Sequence, residues 1–182
     1  MTKLSVNINK VATLRNTRTL EIPSVVRLSR IALEAGAHGI TVHPRPDQRH
    51  IRPYDVANLA ALWREFPGME FNIEGNPLLE YMAHIRQVRP TQCTLVPDAR
   101  EAFTSNHGWS FAGAEGERNA VRLRPLIAEM KALGCRVSLF MDADSADIEK
   151  ARELGADRVE LYTEPYAAAF ASGDAALLAR SL

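Results

Sequence analysis

The sequence predicts one α/β domain over residues 1–182, built as a parallel (β/α) barrel of the TIM type. Three observations predict it. Short β-branched runs alternate with longer amphipathic patterns along the chain. Three of those patterns end in glycine and re-enter a strand within a few residues: EAGAHGITVH, ALGCRVSLFM and ELGADRVELY. Repeated βα units joined in this way run as parallel strands with right-handed crossovers. Finally, five strands carry one aliphatic face and one polar face. A doubly wound sheet, covered on both sides, reads as near-continuous apolar runs. A barrel instead gathers polar side chains inside, toward its C-terminal mouth. A half-exposed sheet with a solvated polar face is the competing arrangement, disfavoured because parallel sheets are covered on both sides.

Residues two apart on a strand share a face. In LSVNIN (4–9) Asn7 and Asn9 oppose Val6 and Ile8, and Arg15 and Arg18 follow in ATLRNTR, where either can reach a phosphate over the barrel mouth. A helical pattern over 24–35 stops at Gly36, where left-handed backbone is cheap. In GITVH (39–43) Thr41 and His43 share a face, with Arg45 just beyond. A helix over 53–66 leads to MEFNIE (69–74), where Asn72 and Glu74 oppose Phe71 and Ile73. The pattern over 77–89 precedes QCTLVP (92–97). Residues 98–118 lack apolar periodicity and are expected to form a long loop carrying Thr104 and Ser105, of the kind that serves as a lid. A helix over 119–133 contains Pro125, expected to kink it or mark its first turn. It stops at Gly134 before RVSLFMD (136–142), with Ser138 and Asp142 on the polar face. A helix over 145–154 stops at Gly155 before RVELYT (158–163), which presents Glu160 and Tyr162.

Lys+Arg and Asp+Glu are equal at 22 each, so no long-range field favours a nucleic acid or an anionic membrane. Any phosphate binding must be local. No apolar run is long enough to cross a bilayer and MTKLSVNINKVATLRN lacks a secretory pattern, so a cytoplasmic location is expected. Cys93 and Cys135 read as two buried thiols, not a disulfide framework.

His43 at a strand end can move a proton near neutral pH. Arg45, Arg49 and His50 in the following loop supply donors for a phosphate. Glu74, at a barrel mouth, has its pKa pushed up by burial toward general-base use, unless a nearby arginine simply pairs with it. Glu160 brings a second carboxylate to the same cavity, and two such groups can hold different protonation states. A metal held by His43, His50, Glu74 and Asp142 is disfavoured, because Arg45 would repel a cation and no tight ligand spacing appears. No metal is expected.

The series VNINKVATLRNTR, GITVHPRPDQRHI, EFNIEG, TLVPDA, VSLFMDAD and RVELYTEPYA resembles, in order and through nearly the whole chain, the pyridoxine 5′-phosphate synthase family of vitamin B6 biosynthesis. HPRPDQRHI is its most specific segment. The resemblance implies a phosphate-binding eight-unit β/α barrel, a homo-octamer, and no metal or organic cofactor. The reaction it implies joins 3-amino-2-oxopropyl phosphate to 1-deoxy-D-xylulose 5-phosphate, releasing phosphate and water. It further implies that His43 and Glu74 are proton acceptors and that Glu160 stabilises charged intermediates. Asn7 and Arg18 would contact the aminoketone phosphate; Asn9, Lys10, Arg45, His50 and Thr104 the deoxyxylulose phosphate. Many members carry Asp-His where this chain has Asn9-Lys10. Six of the expected eight βα units are found, so the last two are expected to be lacking, with a histidine proton donor and a Gly-His phosphate contact among them. The alternatives are another phosphosugar isomerase or aldolase on the same barrel, or a non-catalytic truncated barrel acting as a binding module.

Overall fold

The structure, a computed structural model, describes residues 1–102 and 104–180. Six strands pair in chain order, all parallel: β1 (Ser5–Asn7), β2 (Gly39–Val42), β3 (Glu70–Gly75), β4 (Gln92–Leu95), β5 (Arg136–Asp142) and β6 (Arg158–Tyr162). Eight helices are found among the described residues: α1 (Asn9–Asn16), α2 (Val25–Glu34), α3 (Pro53–Arg64), α4 (Tyr81–Val88), α5 (Gly113–Ala132), α6 (Ile148–Glu153), α7 (Glu164–Ser172) and α8 (Ala175–Arg180). The sheet with its alternating helices forms a half-barrel, six βα units of the TIM-type arrangement. No helix among the described residues is long and apolar enough to cross a membrane.

The three glycine endings share one geometry. Gly36, Gly134 and Gly155 take φ of 99°, 85° and 99°. In each, the next residue's N–H reaches back into the last turn, Ala37 to Ala32, Cys135 to Met130 and Ala156 to Ala151, all at 3.0 Å. These are Schellman closures, which a side chain at the glycine would strain.

Two expectations are corrected. Asn9 does not end a strand; it opens α1, because the Asn7 side chain accepts its N–H at 2.9 Å and turns the backbone. The loop after β4 ends at Ala112, not Arg118, since Gly113–Arg118 form the first turns of α5. That stretch sets helix-favouring Ala114, Glu115, Glu117 and Arg118 beside two glycines and is mostly exposed, so it shows no apolar stripe. Pro125 lies well inside α5, where the carbonyl it deprives of a partner belongs to the exposed Val121. The helices α1, α7 and α8 stand beyond the predicted set.

The strands sort their faces as the parity predicts. Ile40, Val42, Phe71, Ile73, Cys93, Leu95, Val137 and Leu139 face the helices and belong to the core. Cys93 and Cys135 are free and buried. On the other face, Ser5 Oγ and Thr41 Oγ1 lie 2.9 Å apart. Asn72 Nδ2 donates to Thr41 Oγ1 at 3.4 Å, and Thr94 Oγ1 donates to Asn72 Oδ1 at 3.0 Å. One layer toward the strands' N-termini, Arg136 pairs with Glu70 and donates to Gln92 Oε1 at 2.8 Å, which Arg158 also reaches at 3.3 Å. Thr41, Asn72, Thr94 and Ser138 are buried, so the polar face is no solvated surface.

Candidate active site

The segment from His43 to Arg52 is fixed from below. Arg15 of α1 and Asp55 of α3 form an ion pair whose side chains are each 3% exposed. Arg15 Nη2 donates to the His50 carbonyl at 3.3 Å, and Asn16 Nδ2 donates to the carbonyls of His50 at 2.9 Å and Arg49 at 3.1 Å. Asp55 Oδ2 in turn accepts the Arg52 N–H at 2.8 Å. Arg15 therefore does not reach over the mouth as expected. A guanidinium this deep must be paired, and Asp55, 40 residues away in sequence, is its partner. Within the segment Gln48 takes φ 55°, and its N–H bonds the Arg45 carbonyl at 2.9 Å. The His43 N–H donates to Asn9 Oδ1 at 2.9 Å, tying the end of β2 to the start of α1.

Above this support lies a cavity of about 730 Å³. Asn7, Asn9, Lys10, His43, Arg45, His50, Glu74 and Thr104 all line it, with Thr13, Arg49 and Ser105. Sequence reasoning named ten of those eleven positions, all but Thr13, from four separate stretches of chain. Glu160 is not in that lining, yet its charge acts on Glu74. Arg18 is exposed one turn beyond α1 and is not part of the lining either. Asp142 belongs to a different cavity with His107, and accepts the Gly108 N–H at 2.9 Å. Phe103, inside the expected lid, lies outside the described residues.

The environment separates the protonation states. Burial drives the His43 pKa down to about 3, and the cations of Arg45 and Arg49 and the neighbouring His50 push the same way while Asp47 opposes. The imidazole is therefore neutral at neutral pH. Burial drives Glu74 well above the usual carboxylate range, helped by the charges of Glu160 and Asp98 and opposed by Arg45. Glu160 is also raised by burial, against a hydrogen bond with Thr94. His43 Nδ1 stands 3.8 Å from Glu74 Oε2. Among the described residues no arginine or lysine is ion-paired with Glu74, so the reading of a carboxylate neutralised by a neighbouring arginine does not hold. His50, lowered to about 4 chiefly by burial, accepts the Ile51 N–H on Nδ1 at 2.9 Å. In its neutral form the ring hydrogen is thus on Nε2. A neutral imidazole beside a carboxyl of raised pKa can accept and return protons, while Arg45, Arg49 and Lys10 give the cavity a cationic wall suited to phosphate.

Arg45 is not idle. It pairs with Asp98, and donates to the Ala102 carbonyl at 2.9 Å and Ser105 Oγ at 3.2 Å. Sequence reasoning missed Asp98. The available signal was its place directly after a barrel strand, in Leu95-Val96-Pro97-Asp98, where functional groups of such barrels collect.

The family model described as pyridoxal phosphate biosynthesis protein PdxJ matches residues 4–181. A pyridoxine 5′-phosphate synthase of Albidiferax ferrireducens is 59% identical over 174 residues, covering 93% of this chain and 67% of that protein. One from Xanthomonas axonopodis pv. citri is 55% identical over 181 residues, covering 96% and 69%. One from Xanthomonas campestris pv. campestris is 55% identical over 179 residues, covering 94% and 68%. The chain spans about two thirds of the length of these relatives.

Proposed function

The chain belongs to the PdxJ family of pyridoxal phosphate biosynthesis, whose similar members carry an enzyme's name, and from that premise we propose that it serves the condensation of 3-amino-2-oxopropyl phosphate with 1-deoxy-D-xylulose 5-phosphate into pyridoxine 5′-phosphate, phosphate and water. What supports this reading is the pairing of a neutral His43 with a high-pKa Glu74 inside a cavity walled by Arg45, His50 and Thr104. The amine adds to the ketone and water leaves; successive enolisations each move one proton, one C–O bond breaks as phosphate departs with its electron pair, and an enol carbon adds to the remaining carbonyl to form the carbon–carbon bond that closes the ring. His43 and Glu74 accept those protons, and Glu160 stabilises the cationic imine stage. Asn9, Lys10, Arg45, His50 and Thr104 hold the deoxyxylulose phosphate; Asn7 and Arg18 hold the aminoketone phosphate. Holding both reactants together supplies the effective concentration that a two-substrate ring closure needs, and keeping bulk water out protects the imine and enamine. The reaction runs on proton transfers and needs no metal or organic cofactor. The same proposal takes residues 1–182 as one barrel domain that two further βα units would close, working in the cytoplasm as a homo-oligomer.

The test supplies both substrates and follows phosphate release, with the Albidiferax ferrireducens relative as positive control. Release that requires both substrates is expected. Turnover of either alone would favour another phosphosugar isomerase or aldolase, and phosphate affinity without turnover would favour a binding module. In the active enzyme, His43→Ala and Glu74→Gln should each lower ring formation by about a hundredfold or more. A near-normal rate in either variant removes that residue from the mechanism.

A further inference from the structure

Asp98 is a buried charge to which the chemistry above gives no task. It is 4% exposed, and Asn76 Nδ2 holds its carbonyl at 2.9 Å. Its Oδ2 accepts from Arg45 and, at 2.8 Å, from Ser105 Oγ, and stands 4.0 Å from His43 Nε2. Its Oδ1 is buried with no hydrogen-bond partner among the described residues. A buried carboxylate with one oxygen unmet is a poor device for stability, because the desolvation cost is incurred and only half recovered. Its presence asks for another explanation.

Arg45 supplies one. Its Nη2 donates to Asp98 and Ser105 and its Nη1 to the Ala102 carbonyl. Three of the five N–H groups are used by these bonds, leaving Nε–H and one Nη1–H for a ligand. Asp98 is the one charged partner in that set, and it binds the arginine and the serine of the 98–112 loop through the same oxygen. We propose that Asp98 is a positioning residue: it fixes the plane of Arg45 and ties the arginine to the Thr104–Ser105 segment, so that both meet a single phosphate group. The proposal rests on the reading of Arg45 as a phosphate contact. It differs in sign from a simple charge effect. A carboxylate beside an anion site repels the anion, so removing its charge alone would tighten phosphate binding. Loss of positioning loosens it.

The experiment uses this chain with Asp98→Asn, which keeps the shape, and Asp98→Glu, which keeps the charge and shifts it by one methylene. Arg45→Lys identifies the Arg45 guanidinium signals in nitrogen-15 NMR, and inorganic phosphate is titrated by calorimetry. Slowly rotating Arg45 Nη signals are expected in the parent and should collapse in Asp98→Asn. Phosphate affinity should fall about tenfold or more in Asp98→Asn and also fall in Asp98→Glu. Persistent slow Arg45 signals in Asp98→Asn would overturn the proposal, as would phosphate binding equal to or tighter than the parent's in both variants. If the parent binds no phosphate, or Arg45→Lys leaves its affinity unchanged, the reading of the site fails instead. The guanidinium signals then decide alone whether Asp98 positions Arg45. Should Asp98→Asn melt out, Asp98→Glu carries both measurements.

Discussion

His43 and Glu74 are displaced in opposite directions by the same cause, since burial penalises an imidazolium and a carboxylate alike. In each case the neutral form is favoured over the charged one, so His43 stays free to accept a proton and an ionised Glu74 takes one up more strongly. The displacement of His43 has a stability consequence whose sign follows from linkage. Above pH 6.5 the ring is neutral in both folded and unfolded chains and contributes no pH dependence. As pH falls below that value the unfolded chain takes up a proton, while the folded ring, with a pKa of about 3, does not. Stability is therefore lost on acidification, by about 2 kcal/mol between pH 7 and pH 5 for a histidine so displaced. His50 adds to the same trend. Urea midpoints at the two pH values should show a smaller drop in His43→Gln than in the parent chain; an equal drop would mean that His43 is accessible to protons. At this scale the sequence was legible where function needs a distinctive residue type at a strand end, as for His43 and Glu74. It was silent on Asp55 and Asp98, whose roles depend on arginines 40 and 53 residues away.

Between elements, two kinds of connection hold the half-barrel's units, and they should respond differently to mutation. Gly134 meets nothing within 4 Å of an added Cβ, so Gly134→Ala costs only backbone strain, about 1–2 kcal/mol. The clamp between α1 and α3 is more demanding. Arg15→Ala leaves Asp55 buried without its cation and should cost about 3–5 kcal/mol. Arg30→Ala, breaking the exposed pair with Glu65, should cost under about 1 kcal/mol. Denaturant melts rank the three, and an Arg15→Ala loss no larger than that of Arg30→Ala would mean the clamp carries no weight. The strands were legible because alternation marks a surface whose two sides meet different surroundings. The start of α5 was not, because an exposed helical turn has no apolar stripe to announce it. Nor was the turn into α1, which depends on one asparagine side chain catching its own backbone.

Over the whole molecule, burial is uneven from one side of the sheet to the other. The middle strands are covered on both faces, whereas on β6 the outward Leu161 is 46% exposed, and on α7 Phe170 is exposed as well. Among the described residues β1 and β6 each have one strand neighbour. Open strand edges beside exposed apolar side chains favour association of chains. Leu161→Lys should shift sedimentation of concentrated samples toward smaller species without lowering the melting temperature. An unchanged distribution would place any contact elsewhere.

The side-chain ladder across the sheet interior has a direction. Thr94 gives its hydroxyl hydrogen to Asn72, and Asn72 gives an amide hydrogen to Thr41, which stands against Ser5. A hydroxyl owns one hydrogen, and Thr94 gives its own to Asn72, so the ladder runs one way from the fourth strand to the second. A donor removed on the fourth strand is thus felt on the third as a carbonyl oxygen left unmet, with no backbone displacement required.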